Sequence, residues 1–456
     1  MRFALYSVRG GNLWLHKRLM DEGHEVLVFI DKENGKNSQH VGDGITTKTQ
    51  SVFEWQQYAR QPGTISLFDF TGRGEMADRL RGAGCFVVGA GAFCDRLEND
   101  RPYGEAFAEA HGIQAPPSYR FSTLTQAIAF LKKDPKQKHG DGGWAWKPNT
   151  DLGADSTWID ESTEAMLTWL QLCALPKFGD NHTCLLQEKI KGVAISTARW
   201  WNGRAWVGPY EGTIEEKKMM AGDVGPSTGC MLNLVWYYAG EPHVADALQF
   251  ERLAATFRKN NAPPGIYDIN AIVNRKGVWF LEWTPRFGYD SEATAQRGIT
   301  NYAGFLSALV HGTSVDEFFD ANKVYAGIRL TLPPYPMGAS DLKESLRPKL
   351  ARTTPVLGGL DGLWDKFFVA EGLSKGPNGY FVDDASGHVG VAVASGSSLT
   401  AACDDMYAYL KDRLSIPNLQ YRIDAQKIIE SDLDDMTAMG WETTPVLEPD
   451  EDGDKN

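Results

Sequence analysis

At 456 residues the chain exceeds what one ordinary core organises, and about 100–200 residues per domain makes three or so units the expectation. A net charge of -13 with no basic run disfavours binding to a nucleic-acid backbone or an anionic membrane surface and leaves small-molecule chemistry as the better prior. Six cysteines, Cys85, Cys94, Cys173, Cys184, Cys230 and Cys403, stand singly without CxxC spacing, which argues against a disulfide scaffold or zinc site and for reduced, mostly buried thiols. No apolar run approaches the ~18 residues of a membrane span, and the N-terminus enters a strand without a signal-peptide pattern. The expectation is a soluble cytoplasmic protein with no membrane partner.

Arg2 to Val8 reads as a short apolar strand that breaks at Gly10-Gly11 into an amphipathic helix and is followed by a second strand at Glu25–Ile30. Strand, glycine turn, helix and strand in that order open a doubly wound parallel sheet. A complete GxGxxG is absent, so the nucleotide signal here is weak. Strands at Thr64–Phe70 and Cys85–Gly89 flank a helix at Gly74–Gly82, and this α/β unit closes near residue 113. Leu97–Gly112 reads as one amphipathic helix, and Ile113–Pro117 as a linker. A helix over Leu124–Lys133 and a strand Trp144–Lys147 follow, running into the small-residue loop Pro148–Thr157. Such a loop offers backbone N–H groups to phosphates, although a single Gly153 makes a poor nest, and a plain turn between strands fits equally. Thr183–Ile190 and Ala194–Trp201 read as strands. Asp223–Met231 (DVGPSTGCM) carries Gly and Pro in a pattern that predicts a loop of set shape, of the kind that bears ligands or lids. Later come a helix over Ala293–Leu309, elements at Val324–Leu332 and Gly379–Ala394, a helix at Ser398–Leu414 and a disordered acidic tail at Glu448–Asp454.

Gly265–Glu292 holds the densest chemistry. It predicts two antiparallel strands joined at Asn274–Gly277, with Asp268 and Asn270 on one face and Glu282, Thr284 and Arg286 on another, which pairing can make the same face. Two carboxylates and a guanidinium on a floor of Ile, Val, Trp and Phe are costly unless balanced. A Mg²⁺ ion with several waters and a phosphate gripped by Arg286 would balance them. An exposed charged hairpin with one salt bridge is the alternative.

With these pieces in order, the chain resembles the phosphoribosylamine–glycine ligases and, through them, the ATP-grasp superfamily. GDVGPSTGCM at Gly222–Met231 is close to that family's GDTGPNTGGM, and LEWTPRFG at Leu281–Gly288 resembles its IEFNCRFG. Weaker likenesses run in the same order: Gly84–Phe107 to its strand and LEGSKAF helix, Trp144–Pro148 to VIKAD, Gln187–Gly192 to the EEFLDG hinge and Gln420–Ala425 to CRKDIG.

The resemblance implies an α/β and α+β multidomain protein: a doubly wound parallel sheet of pre-ATP-grasp type at 1–113, an ATP-grasp fold of two subdomains at 114–192 (lid) and 193–323 (metal-bearing), a small C-terminal α+β domain at 324–445 and an acidic tail at 446–456. It implies ATP held by Arg101, Lys147, Gln187, Glu188, Lys189 and Ile190, and Mg²⁺, with Mn²⁺ as an alternative, held by Asp268, Glu282 and Thr284. Gly225, Pro226, Ser227 and Thr228, with Arg286, would meet the substrates, and Arg286, Asp223 and Lys147 would serve catalysis. The implied reaction is ADP-forming amide synthesis through an acyl phosphate, joining an amino acid such as glycine to a small-molecule amine, in a monomer or homodimer.

Departures accompany the likeness. The Lys of LEGSK is Arg101, the ribose-binding Glu aligns with Ala194, a metal-binding Asn is Thr284, and GGREHA has become Gly10-Gly11-Asn12-Leu13-Trp14-Leu15. Two alternatives stay open: the same chemistry on another, nucleoside-like amine, and a non-catalytic nucleotide-binding relic. A dinucleotide oxidoreductase rests on Gly10-Gly11 alone.

Overall fold

A computed structural model of the chain describes residues 1–8, 10–31, 40–133, 143–149, 157–337, 354–364, 368–384 and 386–443. The first sheet follows directly from near-continuous apolar strands, as expected where helices cover both faces. β1 (Arg2–Ser7), β2 (Glu25–Ile30), β3 (Lys48–Thr49), β4 (Thr64–Phe68) and β5 (Phe86–Val88) pair in parallel in the order β3-β2-β1-β4-β5. The order reverses between β1 and β4, which places a crevice at their C-terminal ends. Asp31, just past β2 where a dinucleotide fold would bind ribose, is instead consumed: Tyr6 Oη donates to it at 2.8 Å and Arg73 Nε at 2.8 Å. The oxidoreductase alternative therefore loses the acidic residue it would need.

The single helix expected over Leu97–Gly112 is two. Ala92–Asn99 ends at Asp100, whose side chain accepts from the Tyr103 N–H at 3.2 Å and starts Arg101–Ala110, with Pro102 in the first turn. The cap and the proline, both favourable at a start and unfavourable inside a helix, cut it there.

The second sheet is the antiparallel set β6 (Ser118–Phe121), β7 (Trp144–Pro148), β8 (Trp158–Asp160) and β9 (Cys184–Glu188), ordered β6-β9-β7-β8. Trp144, Trp146, Leu186 and Cys184 pack beneath it against the Leu124–Lys133 and Thr163–Trp169 helices. Most of the loop expected to cradle phosphates, residues 150–156, lies outside the described residues.

The third sheet carries the bulk of the core. Its strands begin with β10 (Val193–Trp201), β11 (Trp206–Met220), β12 (Val224–Tyr237), β13 (Gly265–Asn274), β14 (Gly277–Thr284) and β15 (Val324–Thr331). Further on come β16 (Thr354–Pro355), β17 (Phe368–Ala370), β18 (Leu373–Gly376), β19 (Gly379–Val382) and β20 (His388–Gly396). The eight-stranded order is β14-β13-β10-β11-β12-β15-β20-β17, while β16, β19 and β18 form a small separate sheet. Strands after Val324 thus extend the sheet that bears the Asp268–Glu282 hairpin.

Three expectations change here. DVGPSTGCM is not a loop: Val224–Tyr237 is one strand, paired irregularly with β11, and only the turn before it is free of ladder. A strand accepts Pro226 because β15 joins β12 only from Leu232 on, so the Pro-bearing stretch is an edge. The helix expected over Ala293–Leu309 is Asp290–Ala295 and Tyr302–His311, with a 3-10 turn at Gln296–Gly298 and an Ile299–Phe319 bridge between them. Gly379–Ala394 is two strands in different sheets, and a helix absent from the sequence reading, Ala425–Met439, follows the Leu399–Asp412 helix. Cys94, Cys184, Cys230 and Cys403 are buried free thiols, Cys85 is half-buried and Cys173 is exposed. The tail at Glu448–Asp454 lies outside the described residues. Among the described residues no helix is long and apolar enough to cross a membrane.

Candidate active site

The β13–β14 hairpin forms as the alternation requires. Asp268 pairs with Thr284 and Asn270 with Glu282, so all four project from one face, and the register slips only beyond Asn270. β10 lies against β13 with Ser196 opposite Asn270, and β11 lies against β10 with Thr213 opposite Ser196. That face therefore continues onto β11 as Glu211, Thr213, Glu215 and Lys217. Asn270 Nδ2 donates to Thr284 Oγ1 at 3.0 Å and to Asp268 Oδ2 at 3.4 Å. Asp268 Oδ1 is buried with no hydrogen-bond partner among the described residues. Burial and then the Glu215 carboxylate raise Asp268 to about 7, partly offset by Ser196 and Arg286.

Glu282 behaves in the opposite way. Its surroundings work to raise it, yet Lys217, Lys147, Arg101 and Arg286 together hold it below the usual carboxylate range. The residue is exposed. Two of the cations come from outside the large sheet. Lys147 on β7 is 9% exposed and donates to Gln187 Oε1 on β9 at 2.9 Å, while Gln187 Nε2 donates to Ser118 Oγ at 3.1 Å. Burial first, and Arg101 next, bring Lys147 down to about 8. Arg101 begins its helix with a buried Nε that has no partner among the described residues. Two cations that disfavour each other, one with an orphan donor, thus act on the same carboxylate, Glu282. That donor set suits the oxygens of a polyphosphate and a hard divalent cation.

The other residues expected to line the nucleotide divide. Glu188 is buried and accepts from Tyr119 Oη at 3.3 Å, whereas Lys189 turns outward to an ion pair with Glu161, and Ile190 is half-buried after the strand end. Arg286, just past β14, donates through Nε to Glu98 Oε1 at 3.0 Å and lies over the rings of Phe70 and Tyr289 at 4.7 and 4.8 Å. Glu98 and Phe70 belong to the N-terminal unit, so Arg286 sits where the β1/β4 crevice meets the large sheet. Across that crevice Asp69 is 3% exposed, accepts from Ser7 Oγ at 2.5 Å and from the Val8 N–H at 3.1 Å, and is raised by burial to about 6.

Gly225, Pro226 and Ser227 are exposed on the outer part of the β11–β12 hairpin. Thr228 is buried and its hydroxyl donates to the Lys217 carbonyl at 2.8 Å. Asp223, in the turn with φ +56°, has its carboxylate ion-paired to Arg422 at 3.0 Å, away from the Asp268–Glu282 face. Ala194 is exposed at the start of β10 and brings no polar side chain there. Lys217, Glu215, Glu98 and Arg422 were missing from the sequence reading. The signal for the first two was present in the alternation of Glu211, Thr213, Glu215 and Lys217, a polar face written at period two.

No protein-family model matches the chain. It is similar to the phosphoribosylamine–glycine ligase of Listeria monocytogenes, with 24% identity over 361 residues, 76% of this chain and 80% of that one. Among solved structures it is similar to phosphoribosylamine–glycine ligase from Thermotoga maritima, at TM-score 0.69 and 15% identity, covering 92% of this chain and 99% of that one. The biotin carboxylase domain of Hydrogenobacter thermophilus 2-oxoglutarate carboxylase, solved with MgADP, ADP and bicarbonate, superimposes at TM-score 0.56 with 11% identity, over 97% of this chain and 96% of that domain. These likenesses establish the ATP-grasp fold.

Proposed function

We propose that the chain, which has the ATP-grasp fold and is similar to phosphoribosylamine–glycine ligases, is a divergent ADP-forming carboxylate–amine ligase of that kind. The observation that carries the reading is the convergence of Lys147, Arg101, Lys217 and Arg286 on Glu282, beside a buried and unpartnered Asp268 oxygen. ATP binds between the lid at 114–192 and the unit at 193–323, its phosphates beside Lys147 and Arg101 and its base along Gln187–Ile190. Glu282 and Asp268 would hold Mg²⁺, or Mn²⁺ in its place, with Thr284 or the adjoining Asn270 amide as a neutral ligand. When bound, the cation supplies neutralising charge to the phosphates.

A substrate carboxylate oxygen attacks the γ-phosphorus, the bond to the bridging oxygen breaks and ADP leaves. The amine nitrogen then attacks the acyl carbon, phosphate departs and the amine gives up a proton. Lys147, Arg286 and Lys217 stabilise charge throughout, and the Gly225–Thr228 stretch, anchored at Asp223, covers the acceptor and excludes water from the acyl phosphate. No protein nucleophile is required. Ala194 and the altered Gly10–Leu15 turn favour an amine other than phosphoribosylamine, nucleoside-like in size, held in the β1/β4 crevice near Asp69.

The test is ADP release with glycine and other amino acids in the presence of hydroxylamine, which captures acyl phosphates as hydroxamates. Hydroxamate that requires ATP, Mg²⁺ and one amino acid supports the ligase reading. A chain that binds MgADP, seen as a raised melting temperature, yet forms no hydroxamate with any amino acid would be a nucleotide-binding relic instead.

A further inference from the structure

The β11–β12 hairpin enters the site without a regular ladder to fix it. Its pairing slips between Glu216 and Lys218 and again between Lys218 and Met220, so the backbone that aims Lys217 is not set by strand pairing alone. The missing constraint comes from the far end of the chain. Arg422 is 1% exposed and uses its guanidinium as a fork. Nη1 donates to the Lys218 carbonyl and to Asp223 Oδ1, both at 3.0 Å, while Nε and Nη2 grip Asp424 at 2.9 and 2.7 Å. Asp424 in turn accepts the Gly222 N–H at 2.8 Å. The turn is thereby held at 218, 222 and 223 from outside the sheet.

The alternation of a strand gives this grip a direction. Glu215 and Lys217 project toward Glu282 and Asp268, so Glu216 must project the other way. It does, toward Asp432 on the Ala425–Met439 helix, where burial and the second carboxyl push Glu216 up to about 8 and the two groups hydrogen bond. One side of the strand is thus fastened to the C-terminal segment while the other faces the cleft. A buried arginine held by two carboxylates is poor evidence of net stabilisation, because desolvation offsets most of the attraction, and an apolar side chain of similar volume could fill the space as well. What the apolar side chain could not do is fix the direction of the Lys218 peptide.

We propose that Arg422 is a positioning residue that seats the β11–β12 hairpin, through Asp223, Asp424 and the Lys218 carbonyl, so that Lys217 and the Gly225–Thr228 stretch face the acceptor. The role of the site rests on the ligase reading above; the seating of the hairpin does not. Asp223 belongs to this latch and acts on the substrate only through it.

The full chain is compared with Arg422→Met and Arg422→Lys by three measurements. Hydrogen exchange reads the hairpin, calorimetry reads MgADP affinity, and hydroxamate formed per ADP released reads delivery of the acyl phosphate to hydroxylamine. In Arg422→Met the amides of 218–225 exchange about tenfold faster or more, while those of β10 and β13 keep their rates. MgADP affinity stays within about twofold, hydroxamate per ADP falls about fivefold as water competes, and Arg422→Lys recovers part of both changes. If Arg422→Met does not fold, Asp223→Asn, which strips the charge from one exposed arm of the latch while leaving an oxygen to accept from Arg422, takes its place with a smaller rise in exchange expected. Unchanged exchange in the hairpin overturns the proposal, and so does faster exchange with an unchanged hydroxamate ratio. A parent protein that makes no hydroxamate sinks the ligase reading, and the exchange result then decides the latch alone.

Discussion

Lys147 offers the sharpest test of the proposed nucleotide site, because its environment sets a pH window that an ordinary surface lysine lacks. The side chain is 9% exposed, and burial with Arg101 beside it brings the ammonium down to about 8, Glu282 and Glu105 opposing the shift. A phosphate contact needs the charged form, so apparent affinity should scale with the protonated fraction. Between pH 7 and 9 that fraction falls about tenfold, and the Kd for MgADP should rise by the same factor, ~1.4 kcal/mol. The phosphate's own second ionisation, near ~6, is about nine-tenths complete where this window opens and changes little across it. Calorimetric titrations in two buffers of different ionisation heat count the proton directly: about 0.1 taken up on binding at pH 7 and about 0.9 at pH 9. Lys147→Met should lose ~1.5–3 kcal/mol of binding at pH 7 and abolish the slope. An affinity flat from pH 7 to 9 in the parent, or the same slope in Lys147→Met, would refute the assignment.

Other outcomes follow from neighbouring residues. Glu282→Ala should lower ADP release by about a hundredfold or more, while the melting temperature without nucleotide stays unchanged, because the side chain is exposed and supports no core; normal turnover would remove the metal assignment. Ser227→Ala removes an exposed hydroxyl and should raise KM for the acceptor with MgADP affinity intact, whereas Thr228→Val breaks the bond to the Lys217 carbonyl and should lower kcat as well; parent kinetics in both variants would show that neither hydroxyl matters. Glu292 is raised by burial from 4.5 to about 7, its bond from Tyr302 opposing. The folded state therefore keeps a proton that the unfolded chain releases above its ordinary pKa, so stability should decline as pH rises from 4.5 to 7, by up to ~3 kcal/mol shared with its neighbour Glu211. In Glu292→Gln, urea midpoints should lose most of that dependence.

The parts legible in the sequence were those governed by a local period. Asp268 and Asn270, and Glu282 and Thr284, could be placed on faces because strand side chains alternate, and the turn at Asn274–Gly277 fixed the register that brought the two faces together. The Gly74–Gly82 and Leu124–Lys133 helices were readable end to end for the same reason. What failed was decided by distant partners or by single interrupting residues. Asp100 and Pro102 divide a helix whose apolar spacing continues across them, so periodicity runs through a break that capping enforces. Gly225 and Pro226 suggested a loop because both usually end a strand, but on an edge with no second neighbour a missing donor costs little.

The cationic part of the candidate site is harder to read than its acidic part. The two acidic positions lie fourteen residues apart in one hairpin, so local pairing brings them together. Arg286 follows the same hairpin just past β14, but the other cations that balance them come from three further places: the start of the Arg101–Ala110 helix, β7 and the outer part of β11. No period links those segments, and each cation viewed alone is an ordinary surface charge. Only their mutual cost marks them, through the orphaned Arg101 Nε, the lowered Lys147 and the lowered Glu282. A protein meant only to be stable would not collect such charges, because each raises the cost of the next. Their persistence around one exposed carboxylate is what an absent polyanion and its cation would relieve.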